Sequence, residues 1–121
     1  LVLPTQPVLT LEAARIALAA AESTAHASGW RVVIAVVDAG GHLVAAHRID
    51  GTQTSSVETA LGKARAAVAF KRPSRILEEM INNGRTGFLS VDGPYAYLQG
   101  GLPVEVGGQV IGGIGVSGVK A

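Results

Sequence analysis

Hydrophobic positions recur at three- and four-residue steps early in the chain: Leu11, Ala14, Leu18, Ala21 and Ala25. That period predicts a helix over Leu11–Ser28 with one apolar face. Thr10 precedes it as an N-cap, Glu12 sits in its first turn, and Gly29 supplies the stop. Residues 1–9, with Pro4 and Pro7, read as an extended lead-in. The period then changes. Arg31–Asp38 is apolar in both alternating sets, with Val32, Ile34 and Val36 on one face and Val33, Ala35 and Val37 on the other. This predicts a central strand covered on both sides. Asp38-Ala39-Gly40-Gly41 predicts a turn, and His42–Asp50 the returning strand of a hairpin.

Beyond a polar loop, Val57–Lys71 and Pro73–Asn82 predict two more helices, separated by Pro73. Val57, Leu61, Ala64 and Val68 form the apolar face of the first. Asn82-Asn83-Gly84 is a turn, and residues 85–99 are irregular with a short strand over Phe88–Val91. Leu102–Val106 and Gln109–Val116 form a last hairpin around Gly107-Gly108. Hairpins build antiparallel sheets, so the fold class is α+β rather than doubly wound α/β.

Half of the sixteen glycines fall in residues 100–121, so the last hairpin has one face almost without side chains. Glycine in a strand marks a turn, a bulge or a close approach. The face of Gly113, Gly115 and Ser117 therefore predicts close packing by a helix, a neighbouring subunit or a flat ligand. Gly113–Gly118 also spells G-x-G-x-x-G, but a dinucleotide site needs a helix after it and an acidic residue about 20 positions on. Neither follows here.

The 121 residues suit one domain spanning 1–121. The absence of Cys excludes a disulfide framework, a thiolate metal site and a Cys nucleophile. A net charge of +1 gives no footprint for nucleic acid and no polybasic tract for a membrane. No apolar run approaches the roughly 20 residues that span a bilayer. Charged residues make up only 16% of the chain, against about 25% on average. So little polar surface predicts a homo-oligomer. Leu1-Val2-Leu3-Pro4 carries no basic leader region, which reads as cytoplasmic; export stays open because the chain does not begin with Met.

Candidate chemistry is sparse. His42 and His47 are five apart on one predicted strand and point to opposite faces, so no protein-only metal site is expected. His47 shares a face with Leu43, Ala45 and Ile49, and is either a hydrogen-bonded core histidine or a pocket histidine. Arg48 and Asp50 lie at the strand exit and either pair with each other or line a pocket. Lys63 projects among Thr59, Ala66, Ala67 and Phe70, where an ammonium needs an anionic partner unless it snorkels to solvent. Ser74 reads as a helix N-cap whose exposed amides suit a carboxylate. Ser117, on the glycine face, has a hydroxyl to offer a ligand.

Several stretches together resemble a known family. They are Val36-Val37-Asp38-Ala39-Gly40-Gly41-His42-Leu43-Val44, Arg48-Ile49-Asp50-Gly51, Gly62-Lys63-Ala64-Arg65-Ala66-Ala67, Arg72-Pro73-Ser74, Gly100-Gly101-Leu102-Pro103-Val104 and Ile114-Gly115-Val116-Ser117-Gly118. In this order they resemble the GlcG/HbpS/PduO C-terminal family of small haem-binding or "haem-degrading" domains. The resemblance implies a profilin-like α-β-α sandwich around a five-stranded antiparallel sheet, and homo-oligomers. It implies haem as a ligand in some members, held through a Thr after the Pro that opens the third helix, or through a His. Ser74 stands at the Thr position here. It also implies a C-terminal helix beyond the point where this sequence stops.

Three functions stay open at this stage. The first is a small-molecule-binding domain, for haem or a related tetrapyrrole, with an accessory role beside catabolic or redox pathways. Its cofactor-binding residues would be Ser74, His47, Lys63 and Arg48, with Asp50, Gly100, Gly101 and Ser117 lining the pocket. The second is an enzyme, degrading haem oxidatively or acting on a small anionic catabolic intermediate. There His47 or Asp38 would be the base and Lys63 or Arg48 the electrophilic stabiliser. The third is a structural subunit of an assembly.

Overall fold

The computed structural model describes residues 1–119. Helix α1 (Leu11–Ser28) leads into strands β1 (Val33–Asp38) and β2 (Leu43–Arg48). Helices α2 (Ser55–Phe70) and α3 (Ser74–Asn82) and a 3-10 helix (Thr86–Ser90) follow, and β3 (Gly101–Val106) and β4 (Gln109–Ser117) close the fold. No helix among the described residues is long and apolar enough to cross a membrane.

Local chemistry sets α1. Thr10 Oγ1 accepts the Ala13 amide at 3.1 Å, and Gly29 adopts φ 68° at the C-terminal end. Ala14, Leu18 and Ala25 are buried as the period requires, whereas Leu11, expected on the same face, is half exposed.

The sheet is antiparallel, in the order β2-β1-β4-β3. Among the described residues it has four strands, which corrects the five-stranded expectation. The segment Phe88–Val91, expected as a strand, belongs instead to the 3-10 helix and its exit. Its backbone bonds close locally: Phe88 donates to Arg85 O at 3.3 Å and Val91 to Phe88 O at 3.1 Å. Those amides are not available to a sheet edge. Phe88 turns inward onto Phe70, with ring centroids 5.8 Å apart.

β1 is a strand between two helical layers. Val32, Ile34 and Val36 join Leu18 of α1 in one core cluster, while Val33, Ala35 and Val37 join Ala60, Ala64 and Val68 of α2 in another. The two-sided apolar pattern of β1 is therefore met by one helix on each face. The glycine face of β4 meets α2. A methyl group on Gly113 would lie 2.6 Å from the Ala64 carbonyl oxygen, and one on Gly115 would overlap that of Ala60. The bare face accommodates helix backbone.

Candidate functional site

The β1–β2 turn is built by one carboxylate. Asp38 Oδ1 accepts the amides of Gly40 (2.9 Å) and His42 (3.0 Å), and the Asp38 carbonyl accepts the Gly41 amide. These bonds, the one from the His42 amide foremost, hold the Asp38 carboxyl below its usual pKa against a smaller opposing effect of burial. Asp38 thus stays ionised and its oxygen stays engaged. His42 Nδ1 lies 3.3 Å from the same oxygen, with most of its ring in solvent.

Gly41, at φ 81°, turns its carbonyl towards α2, where it accepts Arg65 Nε at 2.9 Å. The terminal guanidinium nitrogens make no hydrogen bond or ion pair among the described residues. Arg65 lines a cleft of about 430 Å³ together with His42, Val68, Ala69, Pro94 and Tyr95. A second hollow of about 290 Å³, bordered by Glu58 and Thr59, shares Arg65, Pro94 and Tyr95 with it. The cleft is of a size to take a small molecule. Chemically it offers an anchored guanidinium for a carboxylate, an exposed imidazole and an apolar wall.

The residues singled out from sequence divide into two groups. Lys63, Ser74, Gly100 and Gly101 come together where α2, α3 and β3 meet, while Ser117 is buried on β4 opposite Val33 of β1. Ser74 is fully buried; its hydroxyl donates to Leu98 O at 2.6 Å and accepts the Gly101 amide at 2.8 Å. It is the first helical residue behind Pro73 and does not cap its own helix. A methyl on Gly101 would lie 2.9 Å from the Ser74 oxygen, so this interior is filled. Gly100 and Gly101 also border a surface hollow of about 250 Å³ with Arg75 and Leu102. The other group is dispersed. His47 lies over α1, its Nδ1 3.3 Å from Glu22 Oε1. Arg48 and Asp50 are exposed, and no ion pair joins them among the described residues.

Lys63 is 6% exposed. Its ammonium donates to Val116 O at 3.1 Å and has no carboxylate within ion-pair distance among the described residues. Burial lowers its pKa from 10.5, opposed by the more distant Glu78. The unfolded chain therefore binds this proton more readily than the folded one. Stability should rise with pH between the depressed value and 10.5. Lys63→Met should remove that alkaline rise and stabilise the fold at neutral pH by about 1 kcal/mol. Urea denaturation across pH 7–11 checks both; a less stable Lys63→Met with an unchanged pH slope contradicts them.

Sequence spacing sets His42 aside as a metal ligand and gives Arg65 and Tyr95 no role. Two of them lie inside stretches that carried the resemblance, and helical spacing places Arg65 beside Val68 and Ala69. Those were the available signals.

A family described as "Haem degrading protein HbpS-like" matches residues 9–121. The chain is 41% identical over 113 residues to protein GlcG of Escherichia coli K12, covering 93% of this chain and 84% of GlcG. A Streptomyces reticuli HbpS double mutant superposes with a TM-score of 0.87 at 35% identity, over 96% of this chain and 78% of that one. A PduOC–haem complex superposes at 0.86 with 27% identity, over 94% and 85%. Match and likeness run through the stretches that build both the cleft and the Lys63–Ser74 interior, and the chain belongs to the HbpS-like family.

Proposed function

We propose that the chain binds haem or a related tetrapyrrole in the cleft between the β1–β2 turn, α2 and residues 94–95. The observation that carries this reading is the convergence of Arg65 and His42 on one cleft with an apolar wall. The family's description and the haem complex of PduOC support the ligand class. The chain's residues fit such a group. Arg65, braced on Gly41 O through Nε, has its two terminal nitrogens unengaged among the described residues and would offer them to a propionate. His42 has its Nδ1 turned to Asp38, which leaves Nε2 for a metal. Val68, Ala69, Pro94 and Tyr95 give a macrocycle apolar contact. When bound, haem would supply an iron centre with redox chemistry of its own.

Ser74 and His47, the ligands expected from sequence, fit less well. The Ser74 hydroxyl is committed to Leu98 and Gly101, and His47 to Glu22. Binding is favoured over acid–base catalysis because Asp38 is engaged by amides and Lys63 is sealed in the interior. An accessory binding role fits this arrangement. A homo-oligomer is part of the same reading; half-exposed Leu102 and Val106 on edge strand β3 support it, and light scattering tests it. Titrating haem into the protein tests the function. A saturable Soret shift at one equivalent is expected; a spectrum unchanged from free haem contradicts it.

A further inference from the structure

We infer that residues 92–97 form a strap that opens as a unit over the cleft, and that the Tyr95 ring is its latch. The segment belongs to no helix or strand and makes no backbone-to-backbone hydrogen bond among the described residues. It is pinned just outside its ends. On one side Val91 closes onto Phe88 O. On the other, Ser74 Oγ donates to Leu98 O, and Glu78 Oε2 accepts the Gln99 amide at 2.7 Å.

Between the pins the strap rests on side chains. Tyr95 packs edge-on to Phe70 at 5.5 Å between centroids, and Tyr97 meets both Phe70 and Tyr95 at 6.1 Å. The Tyr97 hydroxyl bonds within the segment's own neighbourhood, to Val91 O. Ala96 sits on α2 at Gly62, where a methyl group would lie 2.9 Å from the Ala96 amide nitrogen. Pro94 and Tyr95 wall the cleft and, with Gly93 and Ala96, the neighbouring hollow. A segment without backbone bonds, fixed at two ends and held by ring contacts, is the part of a fold that opens first. Opening here uncovers Arg65 from one side.

The opening itself is a property of the free chain; its effect on ligand entry rests on the haem reading. Chymotrypsin, which cuts after aromatic residues, reports the opening through cleavage after Tyr97. Tyr95→Ala removes the latch, and Gly62→Ala lifts the strap by pushing on the Tyr95–Ala96 backbone while keeping the Tyr95 ring. Each should speed that cut roughly tenfold, with cuts at Leu18 and Leu77 unchanged and Tyr95→Phe behaving like the parent. Unchanged cleavage after Tyr97 in both variants overturns the strap, as does equal acceleration at Leu18 and Leu77. Stopped-flow mixing with haem adds the second arm, in which both variants should associate faster. Faster cutting with no haem band in any variant counts against the haem reading and leaves the strap standing.

Discussion

Gly115→Ala should lower the melting temperature by about 10 °C or more, a loss of about 3 kcal/mol. Gly115 is held on both sides, paired with Ala35 of β1 and Gly101 of β3. The strand therefore cannot shift alone. A methyl group there would overlap the Ala60 carbonyl oxygen and stand 2.8 Å from the Ala64 amide nitrogen. Both neighbours are backbone of α2, so no rotamer change relieves the clash. The helix must move off the sheet, and Ala60, Ala64 and Val68 lose contact with Val33, Ala35 and Val37. Against a typical total of about 5–15 kcal/mol, that is a large fraction of stability. Gly87→Ala is the control, because nothing lies within 4 Å of its added methyl and its φ is unrestricted. It should change stability by less than about 0.5 kcal/mol. Equal melting temperatures for the two variants would falsify the close helix–sheet contact.

Arg65→Ala should weaken haem binding by roughly 10- to 100-fold, the loss of a charge-assisted contact of about 1.5–3 kcal/mol. Nε is fixed on Gly41 O, so the two terminal nitrogens are pre-positioned and little side-chain entropy is lost on binding. Arg65→Lys keeps the charge but loses both the anchor and the fork, and should recover little of the affinity. Equilibrium titration at two salt concentrations checks this, because the Arg65 contribution falls with screening. Parent-like affinity in Arg65→Ala places the ligand elsewhere.

The fold was legible where the chemistry is local. Thr10 and Gly29 mark the ends of α1 by capping alone, and the two apolar faces of β1 announce its central place. Phe88–Val91 misled because a β-branched and aromatic run does not reveal that its amides close within a 3-10 turn. The site was half legible. Lys63, Ser74, Gly100 and Gly101 lie together in space, with Lys63 and Ser74 buried and the two glycines bordering the hollow beside Arg75 and Leu102. His47 was separated from them by strand alternation, which put it over α1 beside Glu22. Arg65 and His42 needed the geometry of the Gly40–Gly41 turn. It brings the Gly41 carbonyl to Arg65, and no spacing rule predicts that contact.

The most direct test is the Soret spectrum of the haem-loaded chain compared among the parent, His42→Ala and Ser74→Ala. The cleft account predicts that Ser74→Ala keeps the parent's band while His42→Ala loses it and releases haem more readily. A band that survives in His42→Ala and disappears in Ser74→Ala contradicts it, and moves the ligand to the hollow beside Gly100 and Gly101.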